Sequence, residues 1–307
     1  MESSSSRGPL DWRAGEAHSN GLTLAYEECG NPEGEPIILL TGLSWQLIHW
    51  PESYCAGLAE QGLRVIRLDH RDAGLSSSIK GKMRINFVNS SMMRKFGVTP
   101  PADYTIKDMS DDLIGFIDAL NLEKVHLVGF SLGGVVAQLT AARVADKISS
   151  LTLLMTTTND PWLPAADADV LQHLMTSPPD KTDQAIIERT LELHLKLASP
   201  GYPTPAHELR DLVERAHQRA YKPGGIMRQM HAMVVSGSIE SQLRKVTAAT
   251  QVVHGDSDRM VPLVCGKRVA ERIRGAELEI IEGLGHDFPE ALMPDFVKLT
   301  LAAVNRS

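Results

Sequence analysis

The chain is poor in cysteine. Cys29, Cys55 and Cys265 are its only three, an odd number at wide spacing. They make no CxxC pair and no metal-ligand pattern, so a disulfide scaffold and a thiolate metal site are both disfavoured, and a reducing compartment is expected. No apolar run approaches the roughly 20 residues of a membrane-spanning helix. Met1 to Gly8 contains an acidic residue and four serines but no apolar core, so no secretory signal is read there. Excess positive charge is also missing. The 31 Lys and Arg residues stand against 38 Asp and Glu, a net charge of −7. Nucleic acid and membrane surfaces are therefore poor partners, whereas a small-molecule substrate is compatible. The expected location is the cytoplasm. The 307 residues suffice for one large α/β domain with an insertion.

The most informative stretch runs from Val125 to Gly134. A short run rich in β-branched and aliphatic residues stops at Gly129-Phe130-Ser131-Leu132-Gly133, and Val135-Val136-Ala137-Gln138-Leu139 continues as a helix. Strand, sharp turn and helix in that order push a serine hydroxyl out above a sheet. The same helix aims its first amides and positive dipole end at that spot. Five residues with three fixed recur by chance, so the motif needs an acid and a histidine downstream.

The rest of the chain supplies the context. Residues 1–20 are polar and are expected to form a loose arm. Leu22–Tyr26, Pro36–Leu40, Arg64–Leu68, Ile148–Met155, Ala249–Val253 and Leu278–Ile281 read as further strands. Several are apolar on both faces, as a parallel sheet requires. Thr105 reads as a helix cap before Ile106, Met109, Leu113, Ile117 and Leu120 at helical spacing. A long basic segment, Ile79 to Tyr104, precedes it. From Thr156 to about Val246 no strand is evident. Proline breaks, among them Pro178-Pro179, separate helical stretches near 182–198 and 206–220. The expected division is a core of 21–155 and 247–307, with a helical cap over 156–246. The fold class is α/β, a mostly parallel central sheet with helices on both faces and the cap after the sixth strand.

Acyl transfer by serine needs a base, an acid that orients the base, and amides that hold the oxyanion. In such sheets these groups stand at the carboxyl ends of strands. His254-Gly255-Asp256-Ser257-Asp258 follows one late strand, and Gly283-Leu284-Gly285-His286-Asp287 follows the last. The order Ser131, Asp258, His286 is the one expected of this hydrolase architecture. A lone histidine among 11 would be poor evidence; one directly after the last strand is better. Asp256 competes for the acid, and Asp160 is a more distant rival.

On these residues the chain resembles the α/β-hydrolase fold superfamily, and within it the methylesterase-like branch typified by aclacinomycin methylesterase. Asp69-His70-Arg71-Asp72-Ala73-Gly74-Leu75-Ser76 and Met155-Thr156-Thr157-Thr158-Asn159-Asp160-Pro161 add to the likeness, which covers roughly residues 20 to 305. It implies Ser131 as nucleophile, His286 as base and Asp258 as acid, the last by a Gly-x-x-Asp-x-x-x-Pro spacing. It also implies an oxyanion hole from the backbone N–H groups of Leu43 and Leu132. Thr41-Gly42 stands where His-Gly is common, which removes a side chain that could steady this loop. The expected activity is hydrolysis of a carboxylic ester, with methyl esters and lactones as candidates and neither metal nor organic cofactor. Perhydrolase, C–C hydrolase and acyltransferase chemistry on the same triad, and ligand binding without turnover, are the rival readings. Trp45, Met155 and Trp162 are the expected pocket residues. The methionines at 155, 175, 227, 230 and 233 either line an adaptable pocket or simply pack cap helices. His70 and His254 are expected to be structural, Asp69 to Asp72 to fix a loop through ion pairs, and Asp287 to be solvated.

Overall fold

Buried aliphatic strands organise the structure, a computed structural model that describes residues 10–81, 86–176 and 180–307. The Met1–Gly8 reading and the Pro178-Pro179 break lie outside the described residues. In chain order the first elements are β1 (Arg13–Ser19), β2 (Leu22–Gly30), β3 (Pro36–Leu40), α1 (Glu52–Ala59) and β4 (Arg64–Leu68). Next come α2 (Phe87–Lys95), α3 (Ile106–Ala119), β5 (Val125–Phe130), α4 (Leu132–Arg143) and β6 (Ile148–Leu154). Five helices follow: α5 (Ala168–Met175), α6 (Asp183–Leu197), α7 (Ala206–Arg219), α8 (Pro223–Ser236) and α9 (Glu240–Leu243). Then β7 (Ala249–Gly255), α10 (Leu263–Arg272), β8 (Glu277–Ile281) and α11 (Met293–Val304) complete the chain.

The strands form one sheet in the order β1-β2-β4-β3-β5-β6-β7-β8. β1 and β2 are antiparallel to their neighbours, and the remaining pairings are parallel. Central β5 is buried at every position, so its side chains feed the packed layers on both faces. One layer gathers Ile38, Leu127, Val136, Phe116 and Leu151; the other gathers Ile37, Val128, Tyr54, Val253 and Phe296. Fully burying such a side chain contributes about 1.5–3 kcal/mol.

Thr105 caps α3 as its sequence predicts, in a reciprocal capping box with Asp108. Over residues 13–19 the expected loose arm is corrected. Arg13–Ser19 pairs with Leu22–Glu28 as the edge strand. Its RAGEAHS sequence has little β character; backbone pairing and the burial of Ala17 and Ser19 hold it. The helical insertion lies between β6 and β7, and no strand interrupts it among the described residues.

Candidate active site

The turn after β5 has the strained geometry that its glycines permit. Ser131 sits at φ 54°, ψ −119° and α4 starts at the next residue. A Cβ on Gly129 would lie 2.6 Å from Gly133 O, and one on Gly133 would lie 2.3 Å from Leu40 O. Any larger side chain at either position would push the turn away from the sheet. Ser131 N–H donates to Leu154 O at 3.0 Å, and Thr156 Oγ1 donates to Ser131 O at 2.6 Å. Both β6 and its following loop therefore hold the strained residue in place.

The structure brings the three separated residues together. His286 Nε2 lies 3.0 Å from Ser131 Oγ, and His286 Nδ1 lies 2.7 Å from Asp258 Oδ2. Asp258 Oδ1 accepts the Met260 and Val261 N–H groups at 2.9 and 2.8 Å. Three hydrogen bonds thus orient this carboxylate, and it is buried. Asp256 instead accepts from Ser257 Oγ and Gly283 N–H, and Asp160 caps Trp162 N–H. Neither rival acid meets the imidazole. His254 donates Nε2–H to Val261 O at 2.8 Å and lies 3.6 Å from Asp258, so it braces the loop that carries Asp258. Burial pushes its pKa down. Buried His70 faces the Thr41 carbonyl, and burial lowers its pKa to about 4. The Asp69–Asp72 run makes the expected ties: Asp69 to Arg219, Arg71 to Asp112 and Asp72 to Arg228.

Asp287 departs from expectation. It is buried rather than solvated, because Ser199, 88 residues away, donates to it from both backbone N–H and Oγ. Burial pushes the Asp287 carboxyl above the usual range. Ser199 Oγ also accepts from Gly285 N–H at 2.8 Å, and His286 N–H donates to Leu197 O at 2.8 Å. The end of α6 therefore clamps the loop that carries the imidazole.

A cavity of about 280 Å³ opens over Ser131 and His286. Leu43 and Leu132 line it, and Leu132 is the first residue of α4, where the N–H has no partner within the helix. Trp45 lines it as expected. Met155 and Trp162 do not. Met155, at φ 47°, turns into the core beside Phe130 and Val253 and is fully buried. Trp162 is 74% exposed, with Lys95 Nζ 5.4 Å from its ring centre. Of the methionines singled out in the sequence, 230 and 233 line the cavity and 155, 175 and 227 do not. Sequence reasoning missed the cavity's leucines on α5 and α6, among them Leu171, Leu174, Leu193 and Leu197, and Ile226 on α8. Their three- and four-residue spacing was the available signal. No Asp, Glu, Lys or Arg lines the cavity among the described residues. Nor do those residues include a cluster of three His, Cys, Asp or Glu able to hold a metal ion, or a helix long and apolar enough to cross a membrane.

Trp45 stacks on His49 and His194 at ring separations of 5.0 and 5.6 Å. Burial, with His194 and nearby arginines adding to it, lowers the His49 pKa to about 3; burial lowers that of His194 to about 4. Both rings are neutral in the folded protein at pH 7. In the unfolded chain they titrate near 6.5. As pH falls below 6.5 the unfolded state takes up protons that the folded state refuses, so stability declines toward the folded values near 3 and 4. The melting temperature should therefore drop between pH 6.5 and 4.5, and His194→Gln should make that drop shallower. An equally steep drop in the variant, measured by calorimetry, would remove this ring from the account.

Together the sheet, the strained serine turn and the following helix define a class. The alpha/beta hydrolase fold family matches residues 35–290, and the chain belongs to that family and is a hydrolase. Within the family it resembles the methylesterases. It is 26% identical over 291 residues to rhodomycin D methylesterase DnrP of Streptomyces peucetius, covering 88% of this chain and 91% of that one. It is 27% identical over 271 residues to a carbamate hydrolase assignment, RutD of Variovorax paradoxus, covering 86% and 90%. The meta-cleavage product hydrolase CumD of Pseudomonas fluorescens IP01 superposes with a TM-score of 0.72 at 20% identity, covering 95% and 97%, and so shares the fold.

Proposed function

We propose that the chain is a serine esterase that hydrolyses a neutral carboxylic ester with an apolar acyl group. The observation that carries this reading is the hydrogen-bonded series Ser131–His286–Asp258 at the floor of a cavity without charged lining. Ser131 Oγ attacks the ester carbonyl as His286 Nε2 takes its proton. Asp258 holds the opposite ring nitrogen and stabilises the imidazolium. The N–H groups of Leu43 and Leu132 bind the oxyanion. His286 gives the proton to the departing alcohol, then deprotonates a water that releases the acid and restores Ser131. Water is the only co-reactant, and the partner is a small molecule.

The cavity sets the substrate's character. A carboxylate or ammonium group would lose its hydration there without a countercharge. This disfavours ionised substrates, including the acids typical of C–C hydrolysis. The cavity, about 280 Å³ and apolar, has room for a medium-length acyl chain. Acyl groups of about six to eight carbons should therefore be preferred over acetyl, over dodecanoyl and over methyl esters of bulky polycyclic acids. The relatives named for methyl ester and carbamate hydrolysis support the bond type. A p-nitrophenyl ester series tests this: kcat/KM should peak at hexanoate or octanoate. Met230→Trp, which fills the cavity from α8, should move the peak toward butyrate or acetate by at least tenfold in relative kcat/KM. A flat profile in both proteins would refute the size argument.

A further inference from the structure

Thr41 leaves the loop after β3 without the histidine that often precedes its glycine. The loop is nevertheless tightly held, and the group that holds it comes from the helical insertion. We propose that Gln229 on α8 is a positioning residue for the Leu43 amide, so that the insertion completes the oxyanion site. This inference rests on the esterase reading.

The loop is a four-residue turn. Trp45 N–H donates to Gly42 O at 3.2 Å, with Leu43 and Ser44 between them. Ser44 has φ 64°, the positive angle that marks the third position of a type II turn and that serine adopts at a cost. Rotating the Leu43–Ser44 peptide would relieve that angle and convert the turn to the commoner form. Gln229 opposes the rotation. Its Oε1 accepts the Ser44 N–H at 3.0 Å, and its Nε2 donates to Arg71 O at 2.8 Å. The two bonds demand an acceptor at one end and a donor at the other, so the amide has a single satisfied orientation.

The anchor is itself fixed. Gln229 is 1% exposed, and Arg71 is locked in a buried pair with Asp112 on α3. Thr41 Oγ1 closes the turn from the other side by donating to Trp45 O at 3.1 Å. The Leu43 N–H lies one peptide upstream of the bond that Gln229 accepts. Its aim at the developing oxyanion therefore depends on the turn keeping this form. An amide that moves by a fraction of an ångström loses most where charge is greatest, in the tetrahedral intermediate. Substrate binding, dominated by the apolar lining, feels the change little.

That asymmetry provides the test. In full-length Gln229→Met, kcat for p-nitrophenyl octanoate should fall about ten- to a hundredfold, with KM changed less than about threefold. The inhibition constant of an octyl trifluoromethyl ketone, whose hemiketal oxyanion occupies the hole, should rise by the same factor as kcat falls. Rates are normalised to sites titrated with a fluorophosphonate, so misfolded protein does not count. Gln229→Glu keeps an oxygen toward the Ser44 N–H and should lie between the native chain and Gln229→Met; it carries the test if the methionine variant does not fold. Arg228→Gln removes the neighbouring tie from α8 to Asp72 without touching Ser44, and should leave both kcat and the inhibition constant within about threefold of native. The proposal is overturned by an unaltered inhibition constant in both Gln229 variants, by a loss residing in KM, or by an equal loss in Arg228→Gln. Absence of labelling and turnover in the native chain would instead sink the esterase reading.

Discussion

Ser131→Ala should abolish measurable ester turnover, lowering kcat by about 10⁵ to 10⁶-fold, and should remove fluorophosphonate labelling altogether. The effect is large because, in the proposed mechanism, the serine and imidazole act as one unit. Without Oγ, 3.0 Å from His286 Nε2, the base has no nucleophile to activate and no acyl-enzyme can form. The residual rate reflects only the cavity and the oxyanion amides acting on water. Alanine fits the same turn, since the strained φ belongs to the backbone and Leu154 O still receives the residue 131 N–H. Circular dichroism and melting temperature should therefore be nearly native. Retention of labelling by the folded variant would place the nucleophile elsewhere.

Asp258→Asn should lower kcat by about 10⁴-fold while leaving the fold intact. The asparagine oxygen can still accept the Met260 and Val261 N–H groups. Its amide then faces His286 Nδ1 and donates where the carboxylate accepted. The imidazole is driven into the tautomer with Nε2 protonated, which cannot take the Ser131 proton, and its charged form loses its counterion. Asp256→Asn, altering an acid that binds Ser257 and Gly283, should change kcat less than about threefold. Stopped-flow or steady-state rates for the two variants decide between the acids. A comparable loss in Asp256→Asn would reject Asp258 as the orienting group.

The sequence was most legible where backbone geometry and chemistry coincide. The sharp turn between β5 and α4 must close on small residues, so Gly129 and Gly133 mark Ser131. The proposed acid and base must leave strands at the same sheet edge, so Asp258 and His286 announce themselves by position. Legibility failed where a side chain's surroundings come from distant segments. Asp287 is buried by Ser199 and β1 exists because β2 offers an edge; neither cause is local. Met155 and Trp162 follow a strand end that leads toward the site, yet a positive φ turns one inward and the other lies on the surface beside Lys95. The support that Gln229 gives this loop was likewise invisible, because Gln229 lies 185 residues downstream of Ser44.

The clamp between the end of α6 and the histidine loop has a consequence for how the site comes into being. Leu197 and Ser199 receive the N–H groups of His286 and Gly285, so the imidazole takes its position only once residues from the insertion have docked. Recovery of activity during refolding should therefore track the docking of that insertion rather than formation of the sheet. With the sheet alone, Ser131 would have its turn, but the loop that carries His286 would lack the partners that fix it.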